Sequence, residues 1–285
     1  MRIGVSSYCF QRLLKGSGFS LFDAIKEAKK AGFDAIEFTE FAAPAGKTQA
    51  AFAAELHAAC ESEGLSIPCY AVSADFLNGS GGDMATETAR LKAQLDVAAA
   101  LGVAAMRHDI TWKPTKGISY QDAIAHVAPA VRELSEYAAQ ANIRTMSENH
   151  GYFMQDSVRM AALVSAVKHP NYGLLVDMGN FLCADETSAT ALSTVLPYAF
   201  HIHAKDFLWK SGAEPRPDNS WFPTRAGNWL RGTVLGHGVV SVAQCLTLVK
   251  NSGYDGTVSL EFEGPEEPLF AICRGAEFLK KYLAP

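Results

Sequence analysis

The sequence predicts one domain of the α/β class, a (β/α)8 TIM barrel over residues 1–285. Three observations carry that expectation. Short apolar runs and helical patterns alternate eight times along the 285 residues. Hydrophobic residues make up 48% and charged residues 19%, which suits many strands buried on both faces. Each of the last four apolar runs ends in an acidic or imidazole side chain where the chain enters a loop, and a barrel of parallel strands gathers such ends at one mouth.

Taken in order, the first strand is expected over 2–8, with Ser20 as N-cap of a helix whose apolar positions in LFDAIKEAKK keep helical spacing until Gly32 stops it. DAIEFTE is strand two, followed by a helix over 48–64. SIPCYAV with a helix over 85–102 is unit three, and AAMRHDI with a helix over 120–142 is unit four. A Gly or Asn closes these helices, as a left-handed C-terminal cap requires. IRTMSEN and 156–168 form unit five, YGLLVDM and 186–196 unit six, AFHIHAKD and 241–253 unit seven, and TVSLEFE and 268–282 unit eight. An open doubly wound sheet alternates the same elements, but it usually carries a glycine-rich phosphate loop after strand one. No GxGxxG stands there, and Gly236, His237 and Gly238 precede helix seven only after a long loop.

That long segment, residues 207–235, breaks the regular spacing. It carries Trp209, Trp221, Phe222 and Trp229 with three prolines and the basic residues Arg225 and Arg231. Such aromatic content is not that of a disordered linker. Two readings stand side by side: a wall or lid over the site, with Arg225 as a substrate contact, or an oligomer contact, which aromatic and Arg enrichment also fits.

The formal net charge of −5, with no Lys/Arg run, leaves no electrostatic footprint for a nucleic-acid backbone or an anionic membrane. A small soluble substrate is expected instead. Six scattered cysteines without a CxxC pair read as reduced thiols. MRIGVSSYCF opens on a strand pattern, without a basic n-region followed by an apolar h-region, and no window approaches the roughly 18 apolar residues of a membrane span. The cytoplasm is the expected location.

Glu148 in TMSEN, Asp177 in LLVDMGN, His203 in HIHAKD and Glu261 in VSLEFEG are the four strand-end residues. Three carboxylates and one imidazole suit a hard or borderline divalent ion such as Mn²⁺, Mg²⁺, Co²⁺ or Zn²⁺, and the lack of thiolate argues against a structural zinc site. Clustered carboxylates repel one another, and one bound cation offsets that repulsion. Strand alternation puts His201, His203 and Lys205 on one face, and likewise Glu261 and Glu263, of which Glu263 already lies in the loop.

The order Glu, Asp, His, Glu on strands five to eight, with DMGN, HxHxKD, LGHGVV and GYDGTVSLEFEG, resembles the xylose-isomerase-like barrel superfamily over nearly the whole chain. That superfamily holds ketose 3-epimerases, hydroxypyruvate isomerase, inosose dehydratase and, more distantly, endonuclease IV. The resemblance implies one divalent ion on Glu148, Asp177, His203 and Glu261, a small carbohydrate chelated through a carbonyl and a neighbouring hydroxyl, and Glu148 and Glu261 as base and acid on opposite faces of the sugar. A homo-oligomer, dimer or tetramer, is implied too. Two positions depart from the pattern. Ketose 3-epimerases carry a substrate-binding histidine three residues after the strand-six aspartate, where Asn180 stands here, and His237 replaces a common Glu or Lys. Endonuclease IV needs extra ligands, one of them on strand three, where this chain has IPCYAV.

The reading is a metal-dependent sugar isomerase or epimerase, with a lyase acting on a keto-sugar or inosose as the alternative and a sugar-binding barrel without turnover also open. Lys205 is expected over the rim toward an enolate oxygen. Asn180, Arg107, His108, Glu37 and His150 are expected to contact substrate, beside Asn149 and Trp112, with Tyr8, Phe10 and Tyr70 as apolar wall.

Overall fold

The computed structural model describes residues 1–16, 18–112 and 116–283. Eight parallel strands pair in sequence order: β1 (Arg2–Ser6), β2 (Ala35–Thr39), β3 (Cys69–Val72), β4 (Ala105–His108), β5 (Arg144–Glu148), β6 (Tyr172–Asp177), β7 (Ala199–Ala204) and β8 (Thr257–Leu260). β8 pairs back onto β1 and closes the barrel. Among the described residues, beside a single turn at Gln11–Leu14, the longer helices between and after them are α1 (Leu21–Ala31), α2 (Gln49–Ser62), α3 (Met84–Ala100), α4 (Tyr120–Ala139), α5 (Ser157–Val167), α6 (Ser188–Val195), α7 (Val242–Asn251) and α8 (Pro268–Leu283). The expected (β/α)8 TIM barrel is the observed fold.

Local chemistry sets the element ends. Ser20 accepts from the Asp23 N–H while the Asp23 carboxylate accepts from the Ser20 N–H, so two donors of the first turn of α1 are satisfied reciprocally. Gly32 ends the helix at φ 82°, a conformation that side chains resist. Several strands stop earlier than the apolar runs suggest: β1 gives way to a 3-10 turn at Ser7–Phe10, and Glu261 lies one residue past β8. It stays tethered, because its N–H donates to the Ala204 carbonyl at 3.0 Å.

The outward strand faces, with Val5, Ile36, Phe38, Val72 and Met106, pack against the helices in one continuous core. Phe10 and Tyr70, expected as walls of the site, are fully buried in it. Inside the barrel, Cys69, Ala105, Met146 and Leu175 form a separate apolar plug with Phe200 against it. Phe200 is the extra residue of a β-bulge, since Leu174 pairs with Ala199 but Leu175 with His201. Gly173 makes room for it; a Cβ there would stand 2.8 Å from the Phe200 ring. Beyond the bulge, His201 and His203 point into the barrel, and above the plug the interior turns polar.

Residues 207–235 carry most of an antiparallel three-stranded sheet, Asp206–Lys210, Phe222–Pro223 and Trp229–Thr233. Its root is Asp206, whose carboxylate accepts the N–H groups of Phe207, Gly236, Gly238 and Val240 at 2.9–3.0 Å. Among the described residues no helix is long and apolar enough to cross a membrane.

His108 corrects a sequence expectation. Alternation along β4 sends Arg107 into the barrel and His108 toward the helices, where it lies fully buried between the rings of Phe76 and Tyr172. It therefore does not face a substrate. Its Nδ1–H donates to the Asp109 carbonyl at 3.0 Å, Nε2 is buried without a hydrogen-bond partner, and burial pushes its pKa down to about 4. The unfolded chain binds this proton near pH 6.5, so stability is expected to fall as pH drops from about 6.5 to about 4, by up to about 3 kcal/mol from this residue. His108→Phe is expected to lose less stability than the parent over that window. Urea unfolding at a series of pH values checks this, and parallel acid losses in both proteins would count against it.

Candidate metal centre

Glu148 at the end of β5, Asp177 at the end of β6, His203 on β7 and Glu261 just past β8 each offer one donor atom, all within 4.8 Å of one another. Asp177 and His203 are sealed from solvent. Local bonds aim them. Asp177 Oδ1 accepts from the Gly179 and Asn180 N–H groups, both at 2.8 Å, which leaves Oδ2 buried with no hydrogen-bond partner. Asn149 ties the same strand end in place, accepting from the Asp177 N–H and donating to its carbonyl.

His203 is oriented from below. Its Nε2–H donates to Glu37 Oε1 at 2.6 Å, which leaves Nδ1 as the ring atom available to a metal ion. Nδ1 too is buried without a hydrogen-bond partner, and it lies 3.7 Å from both Asp177 Oδ2 and Glu261 Oε2. The other Glu37 oxygen accepts from His201 Nε2 at 2.6 Å, with Ser259 Oγ 3.1 Å away. Burial opposes the charge on Glu37, but His203 and His201 hold its carboxyl well below the usual range. A carboxylate behind an imidazole is the arrangement that fixes a ligating histidine and raises its basicity.

The carboxylates are held by fixed cations. Arg107 pairs with Glu148 and with Asp109, 3.0 Å from its Oδ1, and donates to the Val72 carbonyl at 3.2 Å. Asp109 also accepts from His150 Nδ1 at 3.0 Å, which raises the His150 pKa against the effect of burial. Lys205 pairs with Glu261 and lies 3.6 Å from Asp177 and 3.5 Å from Glu263. Asn180 bridges the two groups, its Nδ2 donating to Glu148 Oε1 at 2.9 Å and its Oδ1 accepting from Lys205 at 3.3 Å. Even so, burial pushes the Asp177 carboxyl up to about 7; Lys205 opposes this, and Glu261 and Glu148 add to it. Negative charge in excess of its partners, with two bare donors aimed at one point, fits a divalent cation.

A cavity of about 360 Å³ opens above these donors. Arg107, His150 and Lys205 line it as expected positions do, and so do Tyr8 and Trp112. Trp112 is 45% exposed and meets His150 edge-on with ring centroids 4.4 Å apart. Four other expected contacts are not among the lining residues: Asn149 and Asn180, both buried, and Glu37 and Arg225. Glu37 is 0% exposed beneath the donors, with both oxygens committed to imidazoles, so it meets no substrate. Arg225 sits in the 207–235 segment and is bound to the Tyr152 carbonyl and Asp156, and no residue of that segment is among those lining the cavity. The segment is tied to the loop after β5 through Tyr152 Oη, which donates to the Pro223 carbonyl. Sequence reasoning missed Asp109 and the pairing of His201 with Glu37; the acid next to Arg107 and His108 in MRHDI was the available signal for the first.

Residues 25–282 match the family described as xylose isomerase-like TIM barrel. The chain is 24% identical over 138 residues to an inosose dehydratase of Lacticaseibacillus casei, covering 48% of this chain and 46% of that protein. It is 23% identical over 162 residues to an L-ribulose-5-phosphate 3-epimerase of Shigella boydii, covering 56% and 51%. It spans about half the length of these curated relatives. A xylose isomerase domain protein from Planctomyces limnophilus superposes with a TM-score of 0.73 at 22% identity, covering 100% of this chain and 99% of that one, a likeness of fold. The family match covers most of the chain, strands β2 to β8 and the four donor residues included, and the chain belongs to the xylose isomerase-like TIM barrel family.

Proposed function

We propose that this chain is a divalent-metal-dependent isomerase or epimerase of a small carbohydrate, acting by proton transfer beside a carbonyl group. The observation that carries the reading is the convergence of four donors from four strand ends, two of them bare and buried. Glu148, Asp177, His203 and Glu261 would hold the ion, which when bound supplies Lewis acidity to a carbonyl and its neighbouring hydroxyl. The remaining work belongs to the chain. Glu148, steadied by Arg107 and Asn180, and Glu261, steadied by Lys205, are the two groups that take a proton from a carbon and return one. Lys205 presents a buried ammonium to an oxygen that gains negative charge as the proton leaves. The sugar-phosphate epimerase and the inosose dehydratase among its relatives support a polyhydroxy substrate.

A second reading, a dehydratase, is favoured by the same Lys205. An ammonium paired with Glu261 can pass a proton to a departing hydroxyl. Exchange at carbon in D₂O without loss of water supports the isomerase or epimerase, and new enone or diketone absorbance supports the lyase. The first test of the site is metal content by plasma mass spectrometry on reconstituted, desalted protein. About one divalent ion per chain is expected, with His203→Ala losing it; no retained ion in the parent would remove the basis of the proposal.

A further inference from the structure

We infer that the substrate carries neither phosphate nor carboxylate and is an uncharged polyhydroxy carbonyl compound. The inference rests on the proposed function and adds a substrate class to it. The cations of the cavity are already committed. Arg107 holds Glu148, both oxygens of Asp109 and the Val72 carbonyl, and Lys205 holds Glu261 between Asp177 and Glu263. Turning Arg107 toward an anionic substrate would take its guanidinium from buried Asp109, a carboxylate outside the donor set.

The charge balance around the cavity points the same way. Four carboxylates line it, Glu40, Glu148, Glu261 and Glu263, against the two full cations Arg107 and Lys205. Asp177 lies beneath them, so a divalent ion in the centre brings four positive charges against five negative and leaves none over for a dianion. Arg90, 3.6 Å from Glu40 at the rim, is itself bound to Glu87 at 2.8 Å. His150 is bound to Asp109.

Backbone N–H groups of the loop after β7 are also taken. Barrel enzymes commonly take a phosphate on backbone N–H groups of the loops after strands seven and eight. Here the N–H groups of Phe207, Gly236, Gly238 and Val240, which follow β7, converge on the Asp206 carboxylate, an anion supplied by the chain itself. What the outer cavity offers instead are the hydroxyls of Tyr8, Thr39 and Ser73 and the exposed ring of Trp112, partners for sugar hydroxyls and for a C–H face.

The test uses matched probes on Mn²⁺-reconstituted protein: D-fructose with D-fructose 6-phosphate, L-ribulose with L-ribulose 5-phosphate, an inosose as a further neutral probe, and inorganic phosphate as competitor. Calorimetry reads binding, and NMR in D₂O reads exchange at carbon in the same samples. The neutral member of a pair is expected to bind about tenfold tighter or more, with phosphate not competing. Glu40→Lys, which turns a rim carboxylate into a cation, is expected to narrow that gap. An equal or tighter phosphorylated member, or competition by phosphate, overturns the inference while observed exchange leaves the isomerase or epimerase reading standing. No binding and no exchange with any probe removes both.

Discussion

Glu148→Gln and Glu261→Gln are each expected to lower turnover by about 10²–10⁴-fold, the usual worth of a positioned proton-transfer group. Glutamine keeps the volume and one acceptor oxygen but cannot take a proton. The exchange is not silent elsewhere. In Glu148→Gln the new amide must present an N–H₂ either to Arg107 or to Asn180 Nδ2, both donors, so Asn180 is driven to flip and to turn its own amide toward Lys205. In Glu261→Gln, Lys205 loses its nearest charge but keeps Asp177 and Glu263 at 3.6 and 3.5 Å. Both residues are also candidate ligands, so turnover has to be measured with saturating Mn²⁺ and the bound ion counted. A two-base shuttle then leaves a specific trace. Each variant retains the base on one face, so one epimer still exchanges its proton in D₂O while interconversion stops. Full interconversion by both variants, with the ion retained, would rule the two-base mechanism out.

The barrel and the convergence of four strand-end side chains were legible because both follow from patterns that are local in the chain. An apolar run followed by a helical period is a property of some thirty neighbouring residues, and Glu148, Asp177, His203 and Glu261 stand at the ends of such runs. What was not legible depends on closure. Arg107 and His108 are neighbours on one strand, and alternation allows only one of them inside; which one is set by register, with Arg107 opposite Ala71 and Met146. Glu37 lies mid-strand on β2 and meets His203 from 166 positions away, across the barrel axis. No local period encodes a pair that exists only once the sheet has closed. The Phe200 bulge is similar, since a one-residue slip in pairing leaves no mark in an apolar run. In residues 207–235 the strand signal was masked by length and composition: one strand is only Phe222–Pro223, and its proline fits an edge position.

Glu37→Gln is expected to weaken ion binding by about 10–100-fold although residue 37 touches no ion, as is typical when the partner behind a ligating histidine is altered. The carboxylate accepts two N–H bonds, from His203 Nε2 and His201 Nε2, each at 2.6 Å. An amide offers one acceptor and one donor. One of the two rings must therefore present a bare Nε2 and carry its proton on Nδ1. Should His203 be that ring, an N–H points at Asp177 and Glu261 and the ligand is lost. Should His201 be that ring, Ser259 Oγ at 3.1 Å can donate to it and His203 keeps its tautomer, but the negative charge that raises its basicity is gone. Chelator competition measures the affinity, and ¹⁵N shifts of the imidazoles show which ring changed. Glu37→Ala is the less informative variant, because it leaves two buried donors without an acceptor and is expected to destabilise the fold by about 3–5 kcal/mol. A Glu37→Gln protein that unfolds like the parent and binds Mn²⁺ with unchanged affinity would mean that the bare Nδ1 of His203 owes nothing to the carboxylate beneath it.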